Sequence, residues 1–545
     1  MGSMGTKEMR VVTVVIVIFV VLSFLETFLY AIQTPTKTVY SFLHNYPEDY
    51  FYYLHLMRQG YDGQWLSTTR MTPEVFTPQL VAIFFIVLGK VALIFPLGMD
   101  ALYTIARVTG AVTLMGCIYG VIRRVFPDLR YRIGALVITL SATFWPDWGQ
   151  NGVHVPSLIR VWTELDPLMR LSFIPHHLWS KIFFLLLLLL LTDSVKKQSR
   201  SLRDRLLPMI FAVMMTIIMG FISPVILITY VSTIGIWLGI EIVMSFIKKR
   251  TMNTQTLLLG VISMGVAGIV ALYHQSLAHS SFPWTTYAPP WEQGGLLAVS
   301  VRAYIQSFGP VLWVALLGAV VGFGTNTISR MLVCWVIVGW VFLFVIGPFL
   351  PLSNSRYLAG YQWIALGILA TQGLLWIERT YKRKSTLTLL VIIVIVLSVP
   401  SWYVSVSASL RKMESKIDNP QVYIPIDIQK AFMYLNSIPS KDSCVVASSD
   451  WVDTMVPSYT SCRSVSGHRL MTWQNESKMT DMNTFLFSSD TPLVRKKELL
   501  LLYRVSHVIT MVGITGTDFL PLLKSRPSFV SGECLCMRYG DFIRD

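Results

Sequence analysis

Charged residues are scarce in this chain, 14% against roughly 25% in soluble domains. Acidic residues are scarcest, 30 Asp and Glu beside 45 Lys and Arg in 545 residues. Together these exclude an ordinary soluble globular protein. Cysteine is sparse as well, with six residues. No Cys-x-x-Cys spacing occurs, which argues against a zinc ribbon or a thiol redox motif. There is no glycine-rich nucleotide loop and no strong internal repeat. What the chain has instead is apolar sequence, 53%, much of it in runs that match the roughly 20 residues needed to cross a bilayer. The composition is that of a polytopic membrane protein. The net charge of +15 would suggest a nucleic-acid partner in a soluble protein. Here the Lys and Arg cluster in short loops between apolar runs, the pattern that sets membrane topology, so no nucleic acid is expected.

That charge bias orients the chain. Met1-Gly2-Ser3 ahead of a second Met4 reads as an added leader and is left aside. The run Val11 to Tyr30 is too long for a signal-peptide core and has no small-residue cleavage site, so it is expected to remain as an anchor. Lys7 and Arg10 place the N-terminus in the cytoplasm. Later basic clusters are expected on the same side: Arg123, Arg124, Arg130 and Arg132; Lys196, Lys197, Arg200, Arg203 and Arg205; Lys248, Lys249 and Arg250; Arg379, Lys382, Arg383 and Lys384. If Val81 to Phe95 crossed fully, Arg123 and Arg124 would lie outside. That run also carries Lys90 and is broken by Gly89, Pro96 and Gly98. It is predicted to lie in the outer interface, as amphipathic helices do. The remaining spans alternate as Leu102–Ile122, Ile133–Trp145, His177–Leu191, Leu207–Phe221, Ile226–Phe246, Leu257–Tyr273, Val311–Phe323, Met331–Phe349, Tyr357–Ile377 and Leu387–Val406. The predicted fold is therefore a membrane all-α bundle of about eleven transmembrane helices, spanning residues 1–408, with a first outer loop at 32–101.

Residues 409–545 have ordinary globular composition and read as a small extracytoplasmic α/β domain. Helices are expected at Asp427–Leu435 and Val494–Tyr503, and strands at Ser443–Ala447, Val505–Ile509 and Glu533–Met537. Cys444, Cys462, Cys534 and Cys536 fall here, so a disulfide of open connectivity is expected outside the cytoplasm. Cys534 and Cys536 share one strand face and are not expected to pair. Cys117 and Cys334 read as packing residues within spans.

Polar residues concentrate at the outer segments. The first loop holds Pro47-Glu48-Asp49-Tyr50. Pro47 suits the first helical position, and Glu48 and Asp49 then sit where the helix dipole favours negative charge. Tyr50, Tyr53, Leu54 and Met57 follow at helical spacing as an apolar face, and Gly60 is expected to end the helix; this geometry is expected to hold an ionised carboxylate at the outer leaflet, facing the membrane core. Two adjacent carboxylates at this boundary suit a general base; they also suit simple stabilisation of the helix N-terminus. A second segment carries Asp147, Gln150, Asn151, His154, Glu164, Asp166, Arg170, His176, His177 and Lys181. Ionisable groups at a span mouth are functional candidates. Arg170 and His176, with His177, suit a phosphate, whereas Lys181 reads as an interfacial snorkelling residue. In a third segment Trp284, Tyr287 and Trp291 read as an interfacial belt, with Glu292 and Arg302 beside them. Arg356, next to Asn354, Ser355 and Tyr357 after Pro351, lies outside against the basic-inside trend. It suits a lipid phosphate, or alternatively a salt bridge to Glu48 or Asp49. Glu26 falls near the outer end of the first span. His468 after Gly467 reads as a structural turn.

This arrangement resembles the GT-C superfamily of membrane glycosyltransferases, which includes protein O-mannosyltransferases, oligosaccharyltransferases and lipid A aminoarabinose transferases. The residues that carry the resemblance are Glu48-Asp49 just after the first span, the partial span Val81–Phe95, Arg107 early in the next span, and the outer Arg356. The tail around Gly467-His468 is similar to poorly characterised prokaryotic members. The usual order of the acidic pair is Asp then Glu; here it is reversed, which leaves open which carboxylate is the base. Asp147-Trp148-Gly149 and Asp450-Trp451-Val452 do not match the Trp-Trp-Asp motif of oligosaccharyltransferases, so single-sugar transfer is expected.

The resemblance implies an enzyme of the plasma (inner) membrane, acting on its outer face. It implies a polyprenyl-phosphate sugar donor, and a lipid, glycan or protein acceptor is expected. Asp49 or Glu48 would be the base. Arg356, Arg170, His176 and His177 would hold the donor phosphate, and Tyr50, Tyr53, Glu164, Asp166, Asn354 and Tyr357 would line the substrate. A single displacement implies inversion. No cofactor is required for a monophosphate donor, although the two carboxylates leave room for Mg or Mn. Alternative readings are a flippase of a lipid-linked glycan and a His-based glycan ligase. The lack of repeats with broken helices argues against the flippase.

Overall fold

The computed structural model describes the chain except residues 1–3, 45, 96, 143, 150–151, 157, 160–161, 197–201, 250–252, 287–291, 294–298, 347–348, 350–352, 359–361, 382–385, 415, 417, 439–443, 512–526, 533 and 539–545. Of the residues named above, Gln150, Asn151, Lys197, Arg200, Arg250, Tyr287, Trp291, Pro351, Lys382, Arg383, Lys384 and Glu533 lie outside the described set. Among the described residues, seven helices are long and apolar enough to cross a membrane, or up to nine if each bent pair is one span. The difference from the predicted eleven has local causes. The segment predicted as Ile133–Trp145 is the helix Leu129–Ser141, only about 20 Å long at 1.5 Å per residue. Val311–Phe323 lies in Pro310–Thr325, which follows Val301–Phe308 after a 94° bend. Gly309 makes that bend with φ +60, a conformation glycine adopts without steric cost.

The chain folds into two compact units. The first comprises Met1–Glu26, Ala106–Gln275 and Pro289–Lys412 and holds most of the long apolar helices, including Pro175–Lys196, Pro224–Ile247, Thr254–Ala278 and Gln362–Tyr381. Close backbone approach sets part of its packing. A Cβ on Gly318 would lie 1.7 Å from Leu369 O, so Pro310–Thr325 and Gln362–Tyr381 meet main chain to main chain. Thr327–Trp340 continues as a π-helical segment, Val341–Ile346, where Phe342 stacks on the buried Tyr357 ring at 4.8 Å.

The second unit comprises Thr27–Ile105, Ser276–Ala288 and Met413–Asp545. The first loop and the tail thus form one body. Thr38–Tyr40 pairs antiparallel with Tyr423–Pro425. The tail carries a five-stranded sheet in which Val445–Ala447 runs parallel to Arg463–Ser464 and His507–Met511. Cys534–Arg538 and Phe529–Ser531 close the sheet antiparallel. The predicted helices are present as Ile426–Ser437 and Leu493–Leu502. Asp450–Tyr459 and Asn475–Phe487 are additional; the first contains Pro457, which argues against a helix from sequence, and the second has almost no net apolar bias and only a weak helical period. Cys444 and Cys462 form a disulfide, while Cys534 and Cys536 are both buried and are not disulfide-bonded.

Two helices of this unit, Pro47–Tyr61 and Ile83–Ile94, cross at glycines. A methyl on Gly89 would lie 1.8 Å from Met57 O, and one on Gly60 would lie 2.0 Å from Ile86 O. Gly60 therefore permits a crossing and does not end the helix, which runs on to Tyr61. Gly89 likewise sits inside its helix. At 12 residues, Ile83–Ile94 is about 18 Å long, short of the roughly 30 Å hydrocarbon layer. Because backbone atoms block the methyl, no rotamer change relieves the overlap. Gly89→Ala is expected to destabilise by about 1–3 kcal/mol or more, read as a lower thermal midpoint in detergent. Gly98→Ala, with nothing within 4 Å of the added atom, is the control. Equal midpoints for the two variants would contradict this account of the crossing.

Candidate active site

The Pro47 helix presents the acid pair. Pro47 occupies its first turn, and the preceding Tyr46 makes no side-chain cap hydrogen bond. Glu48 and Asp49 therefore lie within the first turn, where unpaired N–H groups and the helix dipole favour anions. Glu48 is exposed and makes no ion pair among the described residues. Asp49 has a side chain 42% exposed, with Oδ1 4.0 Å from Nε2 of His468. Burial, and after it the Asp49 charge, push the Tyr46 hydroxyl above its ordinary range.

His468 is 4% exposed. Its Nδ1 accepts the backbone N–H groups of Leu470 at 3.0 Å and Met471 at 3.2 Å. A nitrogen that accepts two donors carries no proton, so the ring proton is on Nε2, facing Asp49. The turn holding His468 is tied to the first loop. Gly467 N donates to Met71 O at 3.0 Å, Thr472 Oγ1 donates to the same carbonyl at 2.6 Å, and Thr69 Oγ1 donates to Met471 O at 2.9 Å. A Cβ on Gly467 would lie 2.2 Å from Ser464 Oγ and 2.8 Å from Met71 Sδ. The turn expected of Gly467-His468 is present, and it has a second consequence that the local sequence did not show: it aims an imidazole N–H at Asp49.

Behind this pair the Pro47 helix is buried, not directed at lipid. Phe51, Leu54 and Met57 are fully inaccessible. Tyr53 stacks on Phe85 at 4.4 Å. Tyr50 packs edge-on against Tyr103 at 5.1 Å. The apolar face expected from the helical spacing packs against the unit's own helices. Buried His55 accepts at Nε2 from Arg70 N at 3.0 Å. Burial first, then the Arg70 and Arg463 charges, hold its pKa well below the ordinary 6.5. The folded chain thus keeps His55 neutral where the unfolded chain would be protonated. Its stabilising contribution is present above pH 6.5 and is lost as pH falls below it, by at most about 1.4 kcal/mol per pH unit. The thermal midpoint is expected to fall between pH 6.5 and 5 more steeply for the native chain than for His55→Gln. Parallel curves would show that His55 carries no such linkage.

The remaining candidates lie in the other unit. Arg356 is ion-paired with Glu292 within its own unit. Its Nε donates to Glu292 Oε2 at 3.1 Å, and the same oxygen accepts from Ser353 N at 2.5 Å. The half-buried rings of His176 and His177 lie 4.2 Å apart at the start of Pro175–Lys196, within electrostatic reach of Arg356. Tyr357, next in the chain, has a buried hydroxyl with no hydrogen-bond partner among the described residues. Asn354 donates to Leu343 O at 3.3 Å.

Arg170 is buried and donates to Ala142 O at 2.7 Å, Leu165 O at 2.9 Å and Thr139 O at 3.3 Å. Thr139 and Ala142 belong to the C-terminal end of Leu129–Ser141, whose last carbonyls lack helical partners. Burial lowers its pKa to about 9, against the opposing Asp166 charge. Asp166 accepts from Ser405 Oγ at 2.6 Å and Leu168 N at 2.8 Å. Glu164 and Lys181 are both fully buried and ion-paired to each other, so Lys181 does not snorkel. Arg107 donates to Ser172 O through Nε at 2.9 Å. Glu26 lies 3.8 Å from Lys412. Of the residues named from the sequence, Asp49 stands beside His468, and Arg356 beside His176 and His177. Glu164, Asp166 and Arg170 are engaged within the protein.

Among the described residues no group of three or more His, Cys, Asp or Glu converges to hold a metal ion. No protein-family model matches the chain, and no curated protein matches it. The chain is similar to solved structures of an oligosaccharyltransferase from the archaeon Archaeoglobus fulgidus. One, tethered through a disulfide to an acceptor peptide containing an NVT sequon, has TM-score 0.49 and 12% identity, covering 92% of this chain and 69% of that one. A second, AglB with an inhibitory peptide and a dolichol-phosphate, has TM-score 0.48 and 11% identity over 90% of this chain and 69% of that one. A third, in complex with Zn and sulfate, has TM-score 0.46 and 12% identity over 92% and 69%.

Proposed function

We propose that this chain is a membrane glycosyltransferase that moves a sugar from a polyprenyl-phosphate carrier to a lipid, glycan or protein acceptor. The single observation that supports this most is the Asp49–His468 pair. A partly exposed carboxylate at a helix N-terminus faces an imidazole N–H whose other nitrogen is locked by two backbone donors. The fixed N–H faces one carboxylate oxygen from 4.0 Å, and the other oxygen is left to accept a proton. Asp49 takes that proton from the acceptor, and the acceptor atom forms a bond to the anomeric carbon. The bond from that carbon to the phosphate oxygen breaks, and the phosphate leaves with the electron pair. One displacement inverts the anomeric centre.

Within the first unit, Arg356, held by Glu292, and the His176-His177 pair are groups of the kind that suit a lipid phosphate. The partnerless Tyr357 hydroxyl offers one more donor. Arg170 supports this region by holding carbonyls of its own unit. No step is routed through a metal. The flippase reading differs in predicting no covalent product. The test is transfer of a radiolabelled sugar from a polyprenyl-phosphate donor by purified protein in lipid nanodiscs, with the product's anomeric configuration assigned by NMR. Labelled carrier moving across the bilayer with no sugar transferred would overturn the proposal.

A further inference from the structure

A carboxylate that the sequence did not single out lies behind the acid pair. Asp100 begins the helix Met99–Val125. Its Oδ1 accepts the Tyr459 hydroxyl at 3.0 Å and lies 3.1 Å from the Tyr50 hydroxyl. Tyr50 OH has one proton, shared between Ser41 O at 2.5 Å and Asp100 Oδ1 at 3.1 Å. Tyr50 is buried and Tyr459 half-buried, and burial, with the Asp100 charge next, keeps both hydroxyls protonated. They therefore act as fixed donors.

Each of these groups holds a different segment. Tyr50 follows Asp49 directly in the first turn of the Pro47 helix. Tyr459 ends Asp450–Tyr459, which packs along that helix: Ser458 Oγ donates to Phe51 O at 2.6 Å, and the Tyr459 ring lies flat on Phe432 at 5.5 Å. Arg58 NH1 donates to Tyr459 O at 3.3 Å. Asp100 thus gathers the turn that carries Asp49, the tail helix and the start of its own helix. The first turn of a helix has unpartnered N–H groups and frays more easily than the interior, and Tyr50 is the side chain next to Asp49 that is held against such motion.

We infer that Asp100 is a positioning residue for Asp49: through the Tyr50 hydroxyl it holds the first turn so that Asp49 stays opposite His468 Nε2. This rests on the glycosyltransferase reading above. Misplacing a reacting group by about 1 Å can lower a rate on the order of 10²-fold. Asp100→Ala is therefore expected to lower kcat by roughly 10–10²-fold with KM for the polyprenyl-phosphate donor unchanged. Tyr50→Phe is expected to lower kcat similarly, and the double variant to be no worse than Asp100→Ala, because both remove one link. Asp100→Asn, whose amide oxygen still accepts both hydroxyls, is expected to recover most of kcat.

The deciding measurement is Asp100→Ala in an Asp49→Asn background, using the sugar-transfer assay in nanodiscs. If Asp100 acts through Asp49, it costs nothing further there. A loss of residual rate as large as in the native background would overturn the inference, as would an unchanged kcat for Asp100→Ala alone. Full transfer by Asp49→Asn itself would instead refute the base assignment. Circular dichroism melting of each variant separates a fall in kcat from a loss of folded protein.

Discussion

Asp49→Asn is expected to lower sugar transfer by about 10²–10⁴-fold, the contribution of a positioned general base, while binding of the polyprenyl-phosphate donor persists. The amide keeps the size and one acceptor oxygen of the carboxylate, so the first turn of the Pro47 helix and the approach to His468 are retained. What is lost is the capacity to take a proton. Glu48→Gln is expected to cost far less, because Glu48 is exposed and makes no ion pair among the described residues. His468→Ala is expected to fall between the two, since it removes the N–H opposite Asp49 and also the acceptor of two backbone donors. Single-turnover transfer and equilibrium donor binding, measured on the same preparations, separate chemistry from affinity. Full activity in both Asp49→Asn and Glu48→Gln would sink the assignment of a carboxylate base.

Glu164→Ala is expected to destabilise the first unit by about 3–5 kcal/mol. It removes the carboxylate paired with Lys181 at a site with no solvent access, and breaking one side of a buried ion pair costs that much. Trp162 and Trp363 indole N–H groups also point to Glu164, each at 3.4 Å, so those contacts are lost too. The double change Glu164→Gln with Lys181→Met is expected to recover most of the loss, because an apolar replacement of a whole buried pair is often close to neutral. Thermal unfolding in detergent, followed by circular dichroism, measures both. A midpoint for Glu164→Ala equal to that of the native chain would show that the pair carries no such weight.

The membrane class was legible because apolar run length is a one-dimensional property, and the bilayer imposes it directly. Three of the tail's strands, Val445–Ala447, His507–Met511 and Cys534–Arg538, and two of its helices were legible for a similar reason: alternating or helical periods lie within a few residues. Boundaries set by neighbours were not. Gly60 and Gly89 read as breaks because local propensity counts only their cost, whereas here they admit another helix's backbone. The pairing of Arg356 with Glu292 was not legible, since Glu292 lies 64 residues away. Lys181 had the composition of a snorkelling residue, and only the position of Glu164 shows that its charge is neutralised inside the protein.

Asp49 could be picked out from Pro47, the acidic pair and the apolar spacing that follows. His468 could not, because nothing within its own segment points to a carboxylate 419 positions earlier. By itself the sequence determined that this chain lives in a bilayer, that a polar loop follows its first apolar run, and that a folded tail ends it. The tertiary structure alone decided that loop and tail form one body, with an imidazole N–H set opposite Asp49 and Asp100 behind it. The physical reason is that hydropathy and periodicity are local sums, whereas a charge's partner is chosen by whichever distant segment the fold brings within hydrogen-bonding distance.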